Sequence, residues 1–254
     1  MILAIDIGNS NIVLGCIDKE KIYFVARIAT DPLKTVEQYA VEIKNIVQLY
    51  GLSLSNISGS IISSVVPPLS NTVKESVRMI IKKDALVVAP GLKTGLNILM
   101  DNPAQLGSDL VVIAVAALAE YKDSVILIDM GTATTMSVID KNRCYVGGAI
   151  IPGVKLSIDT LSRRTAQLPS ISLETPSKVI GKNTIECMTS GCIFGNASIL
   201  DGMIERIENE LGYSTTIIAT GGLSQFIVPF CKREIIYDEN LLLKGLYIIY
   251  QKNS

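Results

Sequence analysis

Short apolar runs separated by polar turns fill the first quarter of the chain and return after residue 124. Runs rich in Ile and Val predict strands at Ile2–Ile7, Ile12–Ile17, Lys21–Ile28, Ile57–Ser63 and Ala85–Val88. They return at Val125–Asp129, Thr134–Ile139, Cys144–Ile150 and Thr216–Ala219. Elsewhere the apolar spacing changes from two to three and four. Over Thr35–Tyr50 the side chains of Val36, Tyr39, Ala40, Ile43, Ile46, Val47 and Tyr50 share one helical face. The same period predicts helices over Leu69–Ile81, about Gln105–Tyr121, Thr184–Leu211 and Asn240–Gln251. Helices alternating with strands make this an α/β chain and not a bundle or a sandwich. The stretch between Ile150 and Thr184, with Pro152, Pro169 and Pro176, reads as loop-rich.

The pattern also repeats. The segment "ILAIDIGNSNIVLGCIDKEKIYFV" resembles "VILIDMGTATTMSVIDKNRCYVGG", which begins at Val125. Asp6 and Gly8 match Asp129 and Gly131, and after a single-residue gap Ile17-Asp18-Lys19 matches Ile139-Asp140-Lys141. Each copy reads strand, Asp-x-Gly turn, strand, charged turn, strand. Short apolar strands resemble one another readily, but a match through both turns favours a duplicated fold. Two halves are expected, 1–122 and 123–254, each a β-meander followed by helices.

Composition narrows the class. With 254 residues, 48% of them hydrophobic, the chain can bury one large core or two smaller ones. A net charge of −1 and a pI near 5.6 leave no electrostatic footprint for nucleic acid or an anionic membrane. Lys82-Lys83 and Arg163-Arg164 are too short to act as a binding arm. The chain has no histidine, which excludes His triads, His-ligated zinc and His bases. Proton transfer then falls mainly to Asp, Glu, Lys, Tyr or Cys. The five cysteines are scattered, with no C-x-x-C, as expected for buried free thiols in a reducing compartment. Leu110–Ala119, the most apolar helical stretch, is far shorter than the ~20 residues that span a bilayer. Met1 leads at once into a strand, so a soluble cytoplasmic protein is expected.

The candidate chemistry lies in the two Asp-x-Gly turns. In each an acidic residue ends a buried strand, glycine follows two positions later, and small polar residues come next: Asn9, Ser10 and Asn11, then Thr132, Thr134 and Thr135. Such a turn offers backbone N–H groups and hydroxyls while glycine lets a phosphate approach the main chain. An Asx-type hairpin turn uses the same residues, and it is the duplication that favours phosphate loops. Thr220-Gly221-Gly222 closes a strand in a way that suits a nucleobase or ribose, and suits an ordinary strand-to-helix turn equally. Asn183 or Thr184 begins a long helix as an N-cap. Asp109 is the only acid in the apolar first half of its helix. Its position fits a capping or dipole role, and in a chain without histidine it is also the leading candidate for a general base.

Taken together, the Asp-x-Gly-Asn start, "DMGTATT", "GGAIIPG" and "ATGG" resemble the acetate-and-sugar-kinase/actin superfamily, and within it the type III pantothenate kinases. The resemblance runs nearly end to end, through "GLKTGL", "DNP", "GSD", "IGKNT" and "SGCIFG". It implies a duplicated actin/ribonuclease H-like fold, each half a mixed β-sheet flanked by helices. It also implies ATP-dependent phosphorylation of pantothenate to 4'-phosphopantothenate, the first step of coenzyme A synthesis. Members are cytoplasmic homodimers that use Mg2+ with ATP and a monovalent cation, K+ or NH4+. By that resemblance Asp6, Ile7, Gly8, Asn9, Ser10, Asn11, Ile12 and Val13 would form the first ATP phosphate loop, Asp6 also holding the divalent cation through water. Thr132 and the Gly221-Gly222 pair would contact ATP, and Asp129 would hold the monovalent cation. Asp109 would take the proton from the substrate hydroxyl. Met100, Gly107, Ser108, Leu110 and Thr184 would line the pantothenate site with it, Thr184 at or near the dimer interface. The family motif usually reads Gly-Ala-Asp-Arg where this chain has Gly107-Ser108-Asp109-Leu110, and commonly has tyrosine at Met100. A second reading therefore keeps the nucleotide site but changes the acceptor, or makes the chain a nucleotide-binding accessory or regulatory protein.

Overall fold

The computed structural model describes residues 1–254. The first strands are β1 (Ile2–Ile7), β2 (Asn11–Ile17) and β3 (Ile22–Ala29), followed by α1 (Val36–Leu49), β4 (Gly59–Ser64), α2 (Pro67–Ile81) and β5 (Leu86–Val87). After them come β6 (Asn97–Ile98), α3 (Ser108–Glu120), β7 (Val125–Met130), β8 (Ala133–Ile139) and β9 (Cys144–Pro152). The chain ends with α4 (Val154–Arg164), α5 (Thr184–Leu211), β10 (Thr216–Thr220), α6 (Ser224–Ile227), β11 (Ile236–Tyr237) and α7 (Leu241–Asn253). Contacts divide it into two compact units. The first takes Met1–Leu96, Asp101–Glu120 and Asn240–Ser254, the second Asn97–Met100 and Tyr121–Glu239.

In the first unit the sheet order is β3-β2-β1-β4-β5, with β1–β2 and β2–β3 antiparallel and β1–β4 and β4–β5 parallel. Strand β1 is buried throughout, so its alternating side chains serve two cores. Leu3, Ile5 and Ile7 pack with Tyr39 and Ile43 of α1 and Val73 and Val77 of α2. Ile2 and Ala4 face the other way, with Val112 and Val115 of α3 and Leu243 and Leu246 of α7. Helix α1 starts on a capping box: Gln38 donates its main-chain N–H to the Thr35 hydroxyl, and its side chain accepts from the Thr35 N–H at 2.8 Å.

The second unit repeats this plan, in the order β11-β10-β7-β8-β9-β6, with β7–β8 and β8–β9 antiparallel and β7–β10 and β10–β11 parallel. Ile126, Ile128 and Met130 of β7 pack with Val154 and Ile158 of α4 and Ile193 and Ala197 of α5. The duplication extends to irregularities. A register shift falls between Cys16 and Ile17 in the first meander and between Val138 and Ile139 in the second, at positions that match in the sequence echo.

Three local expectations change. Residues 154–164, inside the stretch read as loop, form helix α4, which enters from Gly153 without a side-chain cap. Strands β6 and β11, of two residues each, were too short to give a periodic signal. All five cysteines are free, but only Cys16 and Cys144 are buried; Cys187 is exposed and Cys192 and Cys231 are half-buried. Burial pushes the Cys16 and Cys231 thiols up to about 12, which keeps them protonated and unreactive. No helix is long and apolar enough to cross a membrane.

Helices α3 and α7 approach closely at one glycine. A Cβ on Gly245 would lie 2.0 Å from the Val112 carbonyl oxygen, a main-chain atom that cannot turn aside. Gly→Ala in a helix interior normally stabilises by up to ~1 kcal/mol. Here overpacking, typically about 1–3 kcal/mol, reverses the sign. Gly245→Ala should therefore lower the urea midpoint and Tm, and an unchanged or raised midpoint would contradict this packing.

Candidate active site

The first Asp-x-Gly turn is a pinned hairpin tip. The ladder pairs Asp6 with Val13 and Ile7 with Ile12, and the Gly8 N–H closes the four-residue loop on the Asn11 carbonyl at 3.0 Å. A Cβ on Gly8 would stand 3.0 Å from that same oxygen. Thr30, just past β3, donates its hydroxyl to the Gly8 carbonyl at 2.6 Å and its N–H to the Ser10 carbonyl at 3.1 Å. Asn9, Ser10 and Asn11 are exposed at the tip, whereas Asp6, at 7% exposure, is held in the sheet. The loop therefore combines fixed backbone, exposed amide and hydroxyl side chains and a nearby carboxylate.

Strand alternation puts Asp6 on the Ile2 and Ala4 face, where α3 and α7 pack. Its parallel neighbour on β4 is Ser63, which is fully buried. The Ser108 hydroxyl lies 3.0 Å from the Ser63 hydroxyl and brings the start of α3 to the same strand end. One residue on, Asp109 folds back so that its Oδ1 accepts from the Leu110 N–H at 2.8 Å. The carboxylate also lies against Gly107, where a Cβ would sit 2.4 Å from Oδ1. Burial raises the Asp109 carboxyl above its ordinary value, with main-chain N–H donors pulling weakly the other way. Such a carboxylate is a better proton acceptor than an exposed one, because its conjugate acid is weaker. Leu110, next to it, is half-buried.

The second unit carries the counterpart. Asp129 on β7 pairs with Thr135 of β8 on one side and Thr220 of β10 on the other, so the three side chains line one sheet face. The hairpin loop has three residues here, Gly131 N–H donating to the Ala133 carbonyl at 3.0 Å, and Thr132 is exposed on it. Thr220-Gly221-Gly222 belongs to this same cluster. Gly221 has φ +91°, and a Cβ there would meet Asp129 Oδ1 and the Met130 carbonyl, each at 2.7 Å. Gly153, at the start of α4, approaches the loop equally tightly: its Cβ would fall 2.1 Å from the Thr132 carbonyl. Glycine is thus required where "ATGG" and "IIPG" close on the turn.

The oxygen-rich row of Asp129, Thr135 and Thr220 suits a hard monovalent cation. The Thr135 hydroxyl is buried with no protein partner, the state of a ligand-directed oxygen. No three acidic, cysteine or histidine side chains are grouped so as to hold a metal ion by themselves. A magnesium ion held through one carboxylate and its substrate's phosphates fits that donor set better than an all-protein cage.

Asp6–Val13 and Gly107–Leu110 belong to the first unit; Met100, Asp129, Thr132, Thr184, Gly221 and Gly222 belong to the second. Asn183 is the N-cap of α5, accepting from the Glu186 N–H at 2.9 Å, which leaves Thr184 exposed on the first turn. Thr30, Ser63, Ser64 and Gly153 were not singled out individually by sequence, because their roles arise from partners distant along the chain.

A family model described as type III pantothenate kinase matches residues 2–206. The chain belongs to the type III pantothenate kinase family. The type III pantothenate kinases of Brevibacillus brevis and of an Exiguobacterium species are each 42% identical to it over 254 residues, covering 100% of both chains. Among solved structures, a ROK family glucokinase from Streptomyces griseus superposes with a TM-score of 0.56 at 14% identity, over 98% of each chain. At that identity the likeness concerns the fold alone. Within this family member the two adjacent glycines of "ATGG" should separate cleanly. Gly221→Ala adds positive-φ strain and a main-chain clash, about 2–4 kcal/mol of destabilisation. Gly222, with nothing within 4 Å of its Cβ, should tolerate alanine to within about 0.5 kcal/mol. Equal losses for the two in thermal melts would contradict the close approach to Asp129.

Proposed function

We propose that this chain transfers the γ-phosphoryl group of ATP to the 4'-hydroxyl of pantothenate, the first step of coenzyme A synthesis, with Asp109 as the general base. The observation that carries the mechanism is the Asp109 carboxylate: half-buried at the start of α3, raised in basicity by that burial, and next to Ser108, which reaches the strand residue paired with Asp6. The proton passes from the pantothenate hydroxyl to Asp109 as the oxygen attacks phosphorus in line, and ADP leaves without a covalent enzyme intermediate. The Asp6–Val13 hairpin and Thr132 fix the phosphates, and Gly221-Gly222 presents flat main chain to the adenosine. Gly107, Ser108, Leu110, Met100 and Thr184 line the acceptor site. Asp6 would hold a magnesium ion bound with ATP, which would supply neutralisation of phosphate charge, and Asp129 with the Thr135 and Thr220 hydroxyls would hold potassium or ammonium.

A homodimer through α5 is part of the same reading. Ile185, Met188, Gly195 and Ile199 fall at helical spacing on the side of α5 away from Ile193, Ala197 and Leu200 of its own core. Ile185 and Ile199 are exposed at 56% and 43%, and a Cβ on Gly191 or Gly195 would meet nothing within 4 Å. Such a stripe suits a second copy of the same helix.

Asp109→Asn should lower kcat by about 10²–10⁴-fold, the usual contribution of a positioned base. Because the folded-state pKa is raised, ionised Asp109 opposes folding, and its favourable contribution is lost as pH rises through that pKa. At neutral pH the asparagine variant should therefore match or exceed the wild-type Tm. In the wild type, kcat should fall on acidification through a pKa above the ordinary carboxylate range, with that limb absent in the variant. Wild-type turnover by Asp109→Asn would contradict the assignment.

A further inference from the structure

The Ser108 hydroxyl uses all of its hydrogen-bonding capacity on one neighbouring strand. It donates to the Ser64 carbonyl at 2.9 Å, accepts from the Ser64 N–H at 3.0 Å, and lies 3.0 Å from the Ser63 hydroxyl. One donor and two acceptor sites are what a serine hydroxyl has. Ser63 and Ser64 are the last two residues of β4, paired in parallel with Asp6 and Ile7. The Val65 N–H continues that ladder to the Ile7 carbonyl at 3.0 Å. The Ser64 side chain is itself fixed, accepting from the Val66 N–H at 3.1 Å and from the Ser70 hydroxyl of α2 at 2.8 Å. Serines from three elements thus converge on the end of β4, and the only one on α3 directly precedes Asp109.

The rest of α3 is held differently. Val112 and Val115 pack among the apolar side chains of β1 and α7, and the helix-long α3–α7 contact includes the close approach at Gly245. Hydrocarbon packing of this kind is non-directional, and it sets the helix axis more closely than the direction of a polar side chain at the helix start. The first turn carries the reacting carboxylate; Val111 ties it to the same apolar cluster and its N–H to the Gly107 carbonyl at 3.1 Å, and the Ser108 hydroxyl adds a directional hydrogen-bonded tie to the end of β4.

We propose that Ser108 is a positioning residue for phosphoryl transfer: through Ser63 and Ser64 it locks the first turn of α3 to the end of β4, beside the Asp6 strand, and so sets the orientation of the Asp109 carboxylate. The proposal rests on the reading of Asp109 as base. It assigns Ser108 no contact with the phosphate. Removing its hydroxyl frees the first turn to pivot while leaving the apolar anchorage in place, so the consequence falls on chemistry and not on the fold. A displacement of about 1 Å at a reacting group can cost on the order of 10²-fold in rate.

The test is a set of four variants, Ser108→Ala, Ser108→Thr, Asp109→Asn and the Ser108→Ala/Asp109→Asn double, assayed on the full-length protein with pantothenate, Mg-ATP and potassium. Ser108→Ala should lower kcat by about 10–100-fold with the KM for ATP unchanged. It should move the acid limb of the kcat profile to lower pH, as the loosened carboxylate becomes better hydrated. Ser108→Thr, which keeps the hydroxyl, should recover most of the loss. In the Asp109→Asn background the alanine change should do nothing further, because the group it positions is gone. Wild-type kcat and an unmoved acid limb in Ser108→Ala, beside an inactive Asp109→Asn, would overturn the proposal alone. So would an equal fold-loss in the double variant, which marks a merely structural role. Wild-type turnover by Asp109→Asn would overturn the base assignment and this proposal with it. If Ser108→Ala loses its fold, Ser63→Ala decides: a smaller kcat loss with the same acid-limb shift supports the proposal, and wild-type behaviour contradicts it.

Discussion

Asp6 ends a strand that is buried from Ile2 to Ile7, and the alternation of side chains along that strand decides where a carboxylate can go. Leu3, Ile5 and Ile7 must face the α1 and α2 core, so Asp6 faces α3 and α7. A slip of one residue would exchange these sets and drive the carboxylate into hydrocarbon. An unpaired charge there costs several kcal/mol, more than half of many domains' total stability. The hairpin closed by Gly8 and Asn11 and strapped by Thr30 holds the register that avoids it. Everything proposed for the first unit follows from that register. Ser63 lies beside Asp6, Ser108 reaches Ser63, and Asp109 follows Ser108.

The second unit applies the same constraint with a different tip. Six residues of β7 pair with six of β8, as six of β1 pair with six of β2, yet the first loop has four residues and the second three. The single-residue gap in the sequence echo therefore lies in the turn, where a length change disturbs no ladder. The first tip carries exposed Asn9, Ser10 and Asn11; the second is tightened by Gly153 and Gly221, which bring two other segments against it. Duplication kept the sheet and its register shifts, and the tips diverged to present different polar groups.

How much of this was legible along the chain depended on range. The central strands, the long helices and both Asp-x-Gly turns announce themselves through local period and turn chemistry, and the echo at Val125 revealed their repetition. Helix α4 escaped because its signals are weak: a glycine start with no side-chain cap, only Val154 and Ile158 buried, and prolines nearby. The clasp of Ser63 and Ser64 by Ser108 joins residues 44 or 45 apart, and no local pattern distinguishes those serines from solvated ones. The need for glycine at 221 was invisible for the same reason, since the atoms that exclude a side chain there belong to Asp129 and Met130. Asp109 could be nominated by elimination in a chain without histidine, but its seclusion against Gly107 emerged only from the folded chain.

The central claim is that this chain is a pantothenate kinase, and the most direct measurement is identification of the product. Wild-type protein incubated with pantothenate, ATP, Mg2+ and potassium, followed by 31P NMR and mass spectrometry, should yield a phosphate monoester on the 4'-hydroxyl of pantothenate with one ADP per ester formed. ATP binding with no phosphorylated pantothenate, or ATP turnover directed to a different acceptor, would contradict it.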